Sequence, residues 1–267
     1  MSTMQPLAAM PDSACAAIRG VLADIDDTLS TRGRITAEAY AAMERLRAAG
    51  LLFIPITGRP AGWCDHIARM WPVDAVVGEN GALYMIRDRE TGRLRKRFAA
   101  SEAERAAKRR RLAEVGATIL REVPGSALAS DQPYRESDLA IDFCEDVPRL
   151  PDEAVDRIMA LMREAGMNTK MSSIHVNGWF GTYDKLAMAR ILLRDEFHVD
   201  IDAERSRYIF IGDSPNDAPM FEFFPFAVGV ANVRAFAARL TALPAYVTDG
   251  ESGAGFAELV ERLVAAH

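Results

Sequence analysis

The chain has 267 residues, 49% of them hydrophobic and 26% charged, with a formal net charge of −6; this is the composition of a globular protein with a sizeable core, not of a disordered or coiled-coil chain. The mildly acidic balance lacks the footprint of a nucleic-acid binder, and the one basic run, Lys108-Arg109-Arg110-Arg111, lies in an Ala/Glu-rich helical stretch where it reads as a solvated face. No apolar run reaches the ~18 residues of a membrane span, Met1 to Ala17 has no basic leader, and Cys15, Cys64 and Cys144 lack metal-ligand spacing, so the expectation is a reduced, cytoplasmic protein with no membrane or nucleic-acid partner.

Residues 1–17 read as a loose extension or a short helix. Gly20-Val21-Leu22-Ala23 then reads as a buried strand running into an acidic cluster. Thr36 is a fitting N-cap for a helix over 37–49, which Gly50 stops. Leu51 to Ile56 reads as a second strand, Thr57-Gly58-Arg59-Pro60 as the loop after it, and the next helix runs to about Met70. A third strand over 74–77 closes at Gly78-Glu79-Asn80-Gly81. This alternation argues for a parallel sheet with right-handed crossovers.

Residues 82–98 read as a hairpin turning at Asp88 to Gly92. The pattern then changes: helices over 101–115 and 151–165 alternate with strands over 126–131, 138–143 and 168–180. The α/β rhythm resumes with a helix from Lys185 to Phe197, a strand over 207–211 ending in Gly212-Asp213, a short helix, strands over 226–230 and 245–248, and a last helix over 255–266. The fold class expected is α/β: a Rossmann-like core of residues 1–98 and 180–267, with an α+β module at 99–179 inserted into it.

Four sequence elements carry chemistry. In Ala23-Asp24-Ile25-Asp26-Asp27-Thr28, three carboxylates crowd a strand end, an arrangement that repels itself unless a cation or phosphate chemistry requires it. Oxygen-only ligands suit Mg²⁺. Thr57-Gly58 offers a hydroxyl and backbone N–H groups suited to a phosphate oxygen, although a plain helix cap has the same residues. Lys185 opens a helix and gains meaning only in company. In Gly212-Asp213-Ser214-Pro215-Asn216-Asp217 two acids stand at a spacing from which both reach one metal. Each element falls at a strand's carboxyl end or at the start of the next helix, and in an open α/β sheet those ends share one crevice.

Taken in order, Asp-x-Asp-x-Thr, Thr-Gly-Arg, Lys and Gly-Asp-x-x-Asn-Asp resemble the haloacid dehalogenase (HAD) superfamily of phosphatases across residues 24–217. The long gap between Thr57 and Lys185 resembles the C2-type cap insertion, and the repeated helix-strand-strand unit with Glu79-Asn80-Gly81 resembles subfamily IIB, which includes Cof-type, sucrose-phosphate, mannosyl-phosphoglycerate and trehalose-phosphate phosphatases and the phosphomannomutases. The resemblance implies that Asp24 is the nucleophile that becomes an acyl phosphate and that Asp26 is the general acid and then base, its backbone carbonyl also meeting the metal. It implies that Thr57, Gly58, Arg59, Asn80 and Asn216 hold the phosphate and substrate side, and that Lys185 balances the charge of Asp24 and the phosphate. It further implies that Asp24 and Asp213 bind Mg²⁺, and that Asp217 binds it directly or through water. The implied partner is a small phosphorylated metabolite. One departure is Asp27, where many members of the family carry Gly; its side chain is expected to cap the turn that follows.

Substrate choice is expected in the inserted module, where Arg121, Arg135, Glu136, His175, Asn177 and Trp179 are candidates, with Trp179 and His175 equally readable as structural. Two rivals share the motifs: a phosphomutase, which returns phosphate to a sugar hydroxyl, and a catalytically silent phospho-ligand binder. A signalling receiver also groups Asp, Thr and Lys around Mg²⁺, but at roughly half this length and without a cap.

Overall fold

The computed structural model describes residues 4–88, 90–172 and 174–267. Strand β1 (Gln5–Pro6) and helix α1 (Asp12–Ala17) precede β2 (Gly20–Ala23), a small hairpin of β3 (Ser30–Thr31) and β4 (Arg34–Ile35), α2 (Ala37–Ala48), β5 (Leu52–Pro55) and α3 (Ala61–Met70). A second stretch holds β6 (Val76–Gly78), β7 (Leu83–Arg87) and β8 (Leu94–Phe98). Next come α4 (Glu102–Glu122), β9 (Ala127–Leu128), β10 (Asp138–Asp142), α5 (Asp152–Glu164), β11 (Asn168–Met171) and β12 (His175–Trp179). The chain ends with α6 (Lys185–Phe197), α7 (Ile201–Glu204), β13 (Tyr208–Gly212), α8 (Ala218–Phe223), β14 (Val228–Gly229), β15 (Tyr246–Val247) and α9 (Ser252–Val264).

The main sheet has the order β1-β15-β14-β13-β2-β5, every neighbouring pair parallel. Its central strands are apolar throughout because both faces are covered. The two-residue period sorts their side chains: Val21, Phe53, Ile209 and Ile211 pack with α2, α3 and α9, while Leu22, Ile54 and Phe210 pack with α6 and α8.

A second, antiparallel sheet, β11-β12-β10-β9, has its own core. Leu139, Ile141 and Val176 face Leu112 and Ile119 of α4 and Ile158 and Met162 of α5. By the same period the alternate positions, Asp138, Asp142, His175 and Asn177, point the other way, and all four are buried. A sheet with one apolar and one buried polar face has that polar face set against something, here the carboxyl ends of the parallel strands.

Several expectations need correction. The N-terminal stretch, read as a loose extension or a short helix, holds the short helix α1 and, beyond that reading, β1 as a parallel edge strand beside β15; Met1–Thr3 lie outside the described residues. The third strand, expected in the parallel sheet, forms a separate antiparallel sheet with β7 and β8 and touches the main one through a single bridge, Ile56 to Val77. Asp74 is the reason: its backbone N–H donates to the Phe53 carbonyl and its carboxylate accepts from the Phe53 N–H at 2.8 Å, so one residue closes the β5 edge there. Helix α4 runs past 115 to Glu122, opened by a capping box between Ser101 and Glu104 and followed by Pro124-Gly125. The strand expected over 126–131 shrinks to two residues, since Gln132–Tyr134 coil into a 3-10 turn around Pro133. That over 226–230 is likewise only Val228–Gly229. Arg89, in the expected hairpin turn, and Ser173, in the expected last strand pair, lie outside the described residues. No helix among the described residues is long and apolar enough to cross a membrane.

Gly81 lets the turn after β6 touch the start of α6. Its φ is +105°, and a Cβ there would lie 2.0 Å from the Asp184 carbonyl oxygen. Gly81→Ala is expected to lose about 2–4 kcal/mol in urea unfolding. Gly50→Ala, at φ +71° with open space around it, is expected to lose only about 1 kcal/mol. Equal losses would show that backbone conformation, not the contact with α6, governs position 81.

Candidate active site

Asp24 follows β2, Asp213 follows β13, and Thr57 stands just beyond β5. These strands are adjacent and in step, Ala23 pairing with Ile211 on one side and Pro55 on the other, so the three side chains rise at one level of the sheet. Lys185, the first residue of α6, enters from above. Its ammonium donates to Asp24 Oδ1 and to Asp217 Oδ1, each at 2.7 Å, and all three side chains are buried. The α6 start is fixed by Asp184, whose carboxylate accepts from the Ala187 N–H at 2.7 Å.

Carboxylate oxygens of Asp24, Asp213 and Asp217 lie within 4.8 Å of one another. Burial, with Asp217 and Asp26 alongside, pushes the Asp24 carboxyl up to about 8 against the pull of Lys185. Burial and the charges of Asp24, Asp217 and Asp27 likewise raise Asp213 well above the usual range. Burial also works against the Lys185 charge, yet Asp217 and Asp24 outweigh it and hold that ammonium protonated.

These residues fit a hard divalent cation. Asp213 Oδ1 accepts from the Thr28 hydroxyl at 3.3 Å, but its buried Oδ2 has no hydrogen-bond partner. An orphaned carboxylate oxygen beside two more carboxylates is the donor set such an ion takes. Asp217 is less available: Oδ1 is held by Lys185, and Oδ2 accepts from the Asp213 and Ser214 N–H groups at 3.1 and 3.3 Å. That favours contact with an ion through water.

Asp26 is gripped by Arg59. Nε donates to both Asp26 oxygens at 3.0 Å and Nη2 donates to Oδ1 at 2.9 Å. The same Nη2 donates to Oε1 of Glu145 at 2.8 Å, and Nη1 approaches Asp131 and Glu145 at 3.5 Å. Glu145 and Asp131 belong to the second sheet's module and were missed in the sequence, where each is one more acid in a polar loop. The only available signal was the tight Asp142-Phe143-Cys144-Glu145 run at a strand end.

Of the other predicted residues, Thr57 is buried and its hydroxyl accepts from the Arg59 N–H at 3.0 Å. The Asn80 amide lies beside Gly58, where a Cβ would meet its Nδ2 at 3.1 Å, and that buried nitrogen has no partner. Asn216 accepts from the Ser214 hydroxyl at 2.8 Å. Asp24, Asp26, Gly58, Arg59 and Asn216 share one narrow pocket of about 10 Å³, roofed by Ser172, His175 and Asn177. Thr57, Asn80, Lys185, Asp213 and Asp217 do not line it but stand next to residues that do, namely Arg59, Gly58, Asp24 and Ser214.

Of the six module candidates, only His175 and Asn177 reach this pocket. Arg121 is exposed, and Arg135 is consumed by Asp131, Asp138 and the Gly58 carbonyl. The Glu136 N–H donates to Glu79 at 2.8 Å. Trp179 is buried, stacks on Tyr183 at 5.7 Å and donates to its carbonyl. Asp27 does not cap its turn; its N–H donates to the Ser30 hydroxyl at 3.1 Å. Its φ of 56° is left-handed, the region that Gly enters without cost and Asp tolerates, which accounts for the exchange at this position.

The parallel sheet, the inserted module and the grouping of motifs at one strand-end crevice define a HAD-type α/β protein. Residues 21–110 match the family model described as haloacid dehalogenase-like hydrolase, the family that the motif order resembles. The comparison with curated proteins gives no match. Among solved structures, the C-terminal domain of trehalose-6-phosphate phosphatase from C. albicans is similar with a TM-score of 0.72 at 12% identity, covering 98% of both chains. The sucrose-phosphatase of Synechocystis sp., solved with sucrose and phosphate, gives 0.61 at 16% identity over 92% of this chain and 98% of that one. A sugar phosphatase of HAD subclass IIB gives 0.57 at 14% identity over 86% and 93%. At these identities the likeness establishes the fold.

The acidic cluster predicts a pH dependence. Between the ordinary 3.8 and the raised value of about 8, the unfolded chain has released the Asp24 proton while the folded chain keeps it. Stability is therefore greatest below that window and falls as pH rises through it, at most by about 1.4 kcal/mol per pH unit per proton. Chelator-treated protein is expected to melt lower at pH 8 than at pH 5, and Asp213→Asn to flatten that slope. A melting temperature that climbs over this range would contradict the assignment of a repelling cluster.

Proposed function

We propose that this protein is a Mg²⁺-dependent phosphomonoesterase that hydrolyses a small phosphorylated metabolite, a sugar phosphate by preference, through an aspartyl-phosphate at Asp24. The observation that carries this reading is the buried Lys185 ammonium bridging Asp24 and Asp217 beside the orphaned Asp213 Oδ2. A carboxylate attacking a phosphate dianion faces mutual repulsion, and preorganised positive charge offsets it. Asp213, Asp24, Asp217 and the Asp26 carbonyl would hold Mg²⁺, which would supply further charge neutralisation.

In the first half-reaction an Asp24 oxygen bonds to phosphorus as the bond to the leaving oxygen breaks, and Asp26 gives that oxygen its proton. In the second, Asp26 takes a proton from water, the water oxygen bonds to phosphorus, and the bond to Asp24 breaks, releasing phosphate. Thr57 and the Gly58 backbone face the phosphate side, with the unpartnered Asn80 amide beside them. Residues 99–179 act as a cap over this chemistry. The sugar-phosphate phosphatases among the structural neighbours favour a phosphorylated sugar.

Phosphate release from a panel of phosphorylated metabolites tests the reading. Wild type is expected to release phosphate only with Mg²⁺, Asp24→Asn to release none, and Asp26→Asn to lose about 100- to 10,000-fold in kcat. Turnover that survives Asp24→Asn or chelation would sink the proposed chemistry.

A further inference from the structure

We infer that Glu145 of the cap is a positioning residue for proton transfer, acting on Asp26 through Arg59. This rests on the reading of Asp26 as general acid. Arg59 Nη2 donates at once to Asp26 Oδ1 at 2.9 Å and to Glu145 Oε1 at 2.8 Å, so a single nitrogen joins the core's acid to a side chain of the inserted module. An arginine paired with one carboxylate alone keeps rotational freedom about that contact. Here Nε and Nη2 present one edge to Asp26, Nη1 and Nη2 present the other to Glu145, and the Trp63 ring stacks on the guanidinium at 4.4 Å. The plane of Arg59 is thus fixed on three sides, and with it the direction in which Asp26 presents its oxygens.

Glu145 is itself built into place. The Asp142 carboxylate accepts from the N–H groups of Cys144, Glu145 and Asp146 at 2.8, 2.7 and 2.8 Å, which fixes the turn that carries Glu145. His175 from β12 brings Nε2 to 2.8 Å from Glu145 Oε2, off the line of a hydrogen bond. Burial opposes the Glu145 charge, but His175 and Arg59 hold its carboxyl down at about 2. A carboxylate so firmly ionised and so immobilised, 28% exposed, is suited to hold a guanidinium. Because Glu145 reaches Arg59 from the inserted module, the module takes part in aiming the acid.

The chemistry supplies a discriminating readout. Proton donation matters when the leaving group is an alkoxide and matters little for p-nitrophenolate, which departs without a proton. With Mg²⁺ saturating, Glu145→Gln is expected to lower the single-turnover rate of leaving-group release about 10- to 100-fold on the best sugar phosphate of the panel, with KM changed by less than about 3-fold, while the pre-steady-state burst of p-nitrophenolate, which precedes the water step that both esters share, stays within about 3-fold. Glu145→Asp, which keeps the charge, is expected to recover part of the sugar-phosphate rate and carries the same comparison if Glu145→Gln melts early. An equal fall on both esters, an effect on KM alone, or no change at all overturns the inference. Asp26→Asn serves as the reference: if it spares the p-nitrophenolate burst and Glu145→Gln does not, only the inference fails. If Asp26→Asn slows leaving-group release from both esters equally, or wild type turns over neither, the reading of Asp26 as general acid fails and the inference with it.

Discussion

Lys185 brings a buried ammonium to 2.7 Å from each of two buried carboxylates, and the rest of the site is arranged around that contact. Without it, Asp24, Asp213 and Asp217 would confront one another away from water, a cost of several kcal/mol per unpaired ion. Helix energetics does not explain the position. A cation at the first residue of a helix meets the positive end of the dipole and the unsatisfied N–H groups. The lysine is held there by its partners, by the Asp184 cap and by the close approach of Gly81 to the Asp184 carbonyl. Local preference yields to charge geometry, as it does where a site rather than a fold sets the requirement.

The same tension organises the inserted module. Its sheet sends Leu139, Ile141 and Val176 to the two helices and turns Asp138, His175 and Asn177 toward the core. Buried polar groups are tolerable only when satisfied. Asp138 takes both its oxygens to Arg135 and one of them to the Asn177 amide at 3.1 Å; Arg135 in turn reaches the Gly58 carbonyl at 2.8 Å. The polar face is therefore completed by the loop that bears Thr57 and Arg59, so docking the module and ordering that loop are one event.

Much of this was legible in the chain. Strands read as short apolar runs because both faces of a parallel sheet are buried, and Thr36 and Gly50 mark helix ends by chemistry that acts within a few residues. The acids at the ends of β2 and β13 and the hydroxyl past β5 could be gathered in one crevice on the topology of an open sheet alone. What could not be read depends on partners far apart in sequence. Asp74 closing the β5 edge, Glu145 meeting Arg59, and Arg135 spent on structure instead of substrate are each decided by a contact that no local pattern encodes. The short strands β9 and β14 escaped for a related reason, since pairing over two residues leaves no periodicity to see.

Glu79 and Asn80 show how closely docking and chemistry are joined. Both have left-handed φ, 46° and 53°, a conformation that costs a non-glycine residue of order 1 kcal/mol and survives only where its surroundings require it. The requirement is visible on both sides of the turn. Glu79 buries a carboxylate that accepts from the Ala61 N–H of the core and from the Glu136 and Ser137 N–H groups of the module. Burial and the nearby Asp138 push its carboxyl up to about 8, against the pull of those donors and of Arg135. Asn80, one residue on, lies against Gly58 and gives its N–H to the Thr57 carbonyl at 3.0 Å. One strained turn thus ties the module to the core with one residue and shapes the Thr57-Gly58 loop with the next. Neither residue relaxes without disturbing the other, so the seat of the module and the shape of the crevice are fixed together.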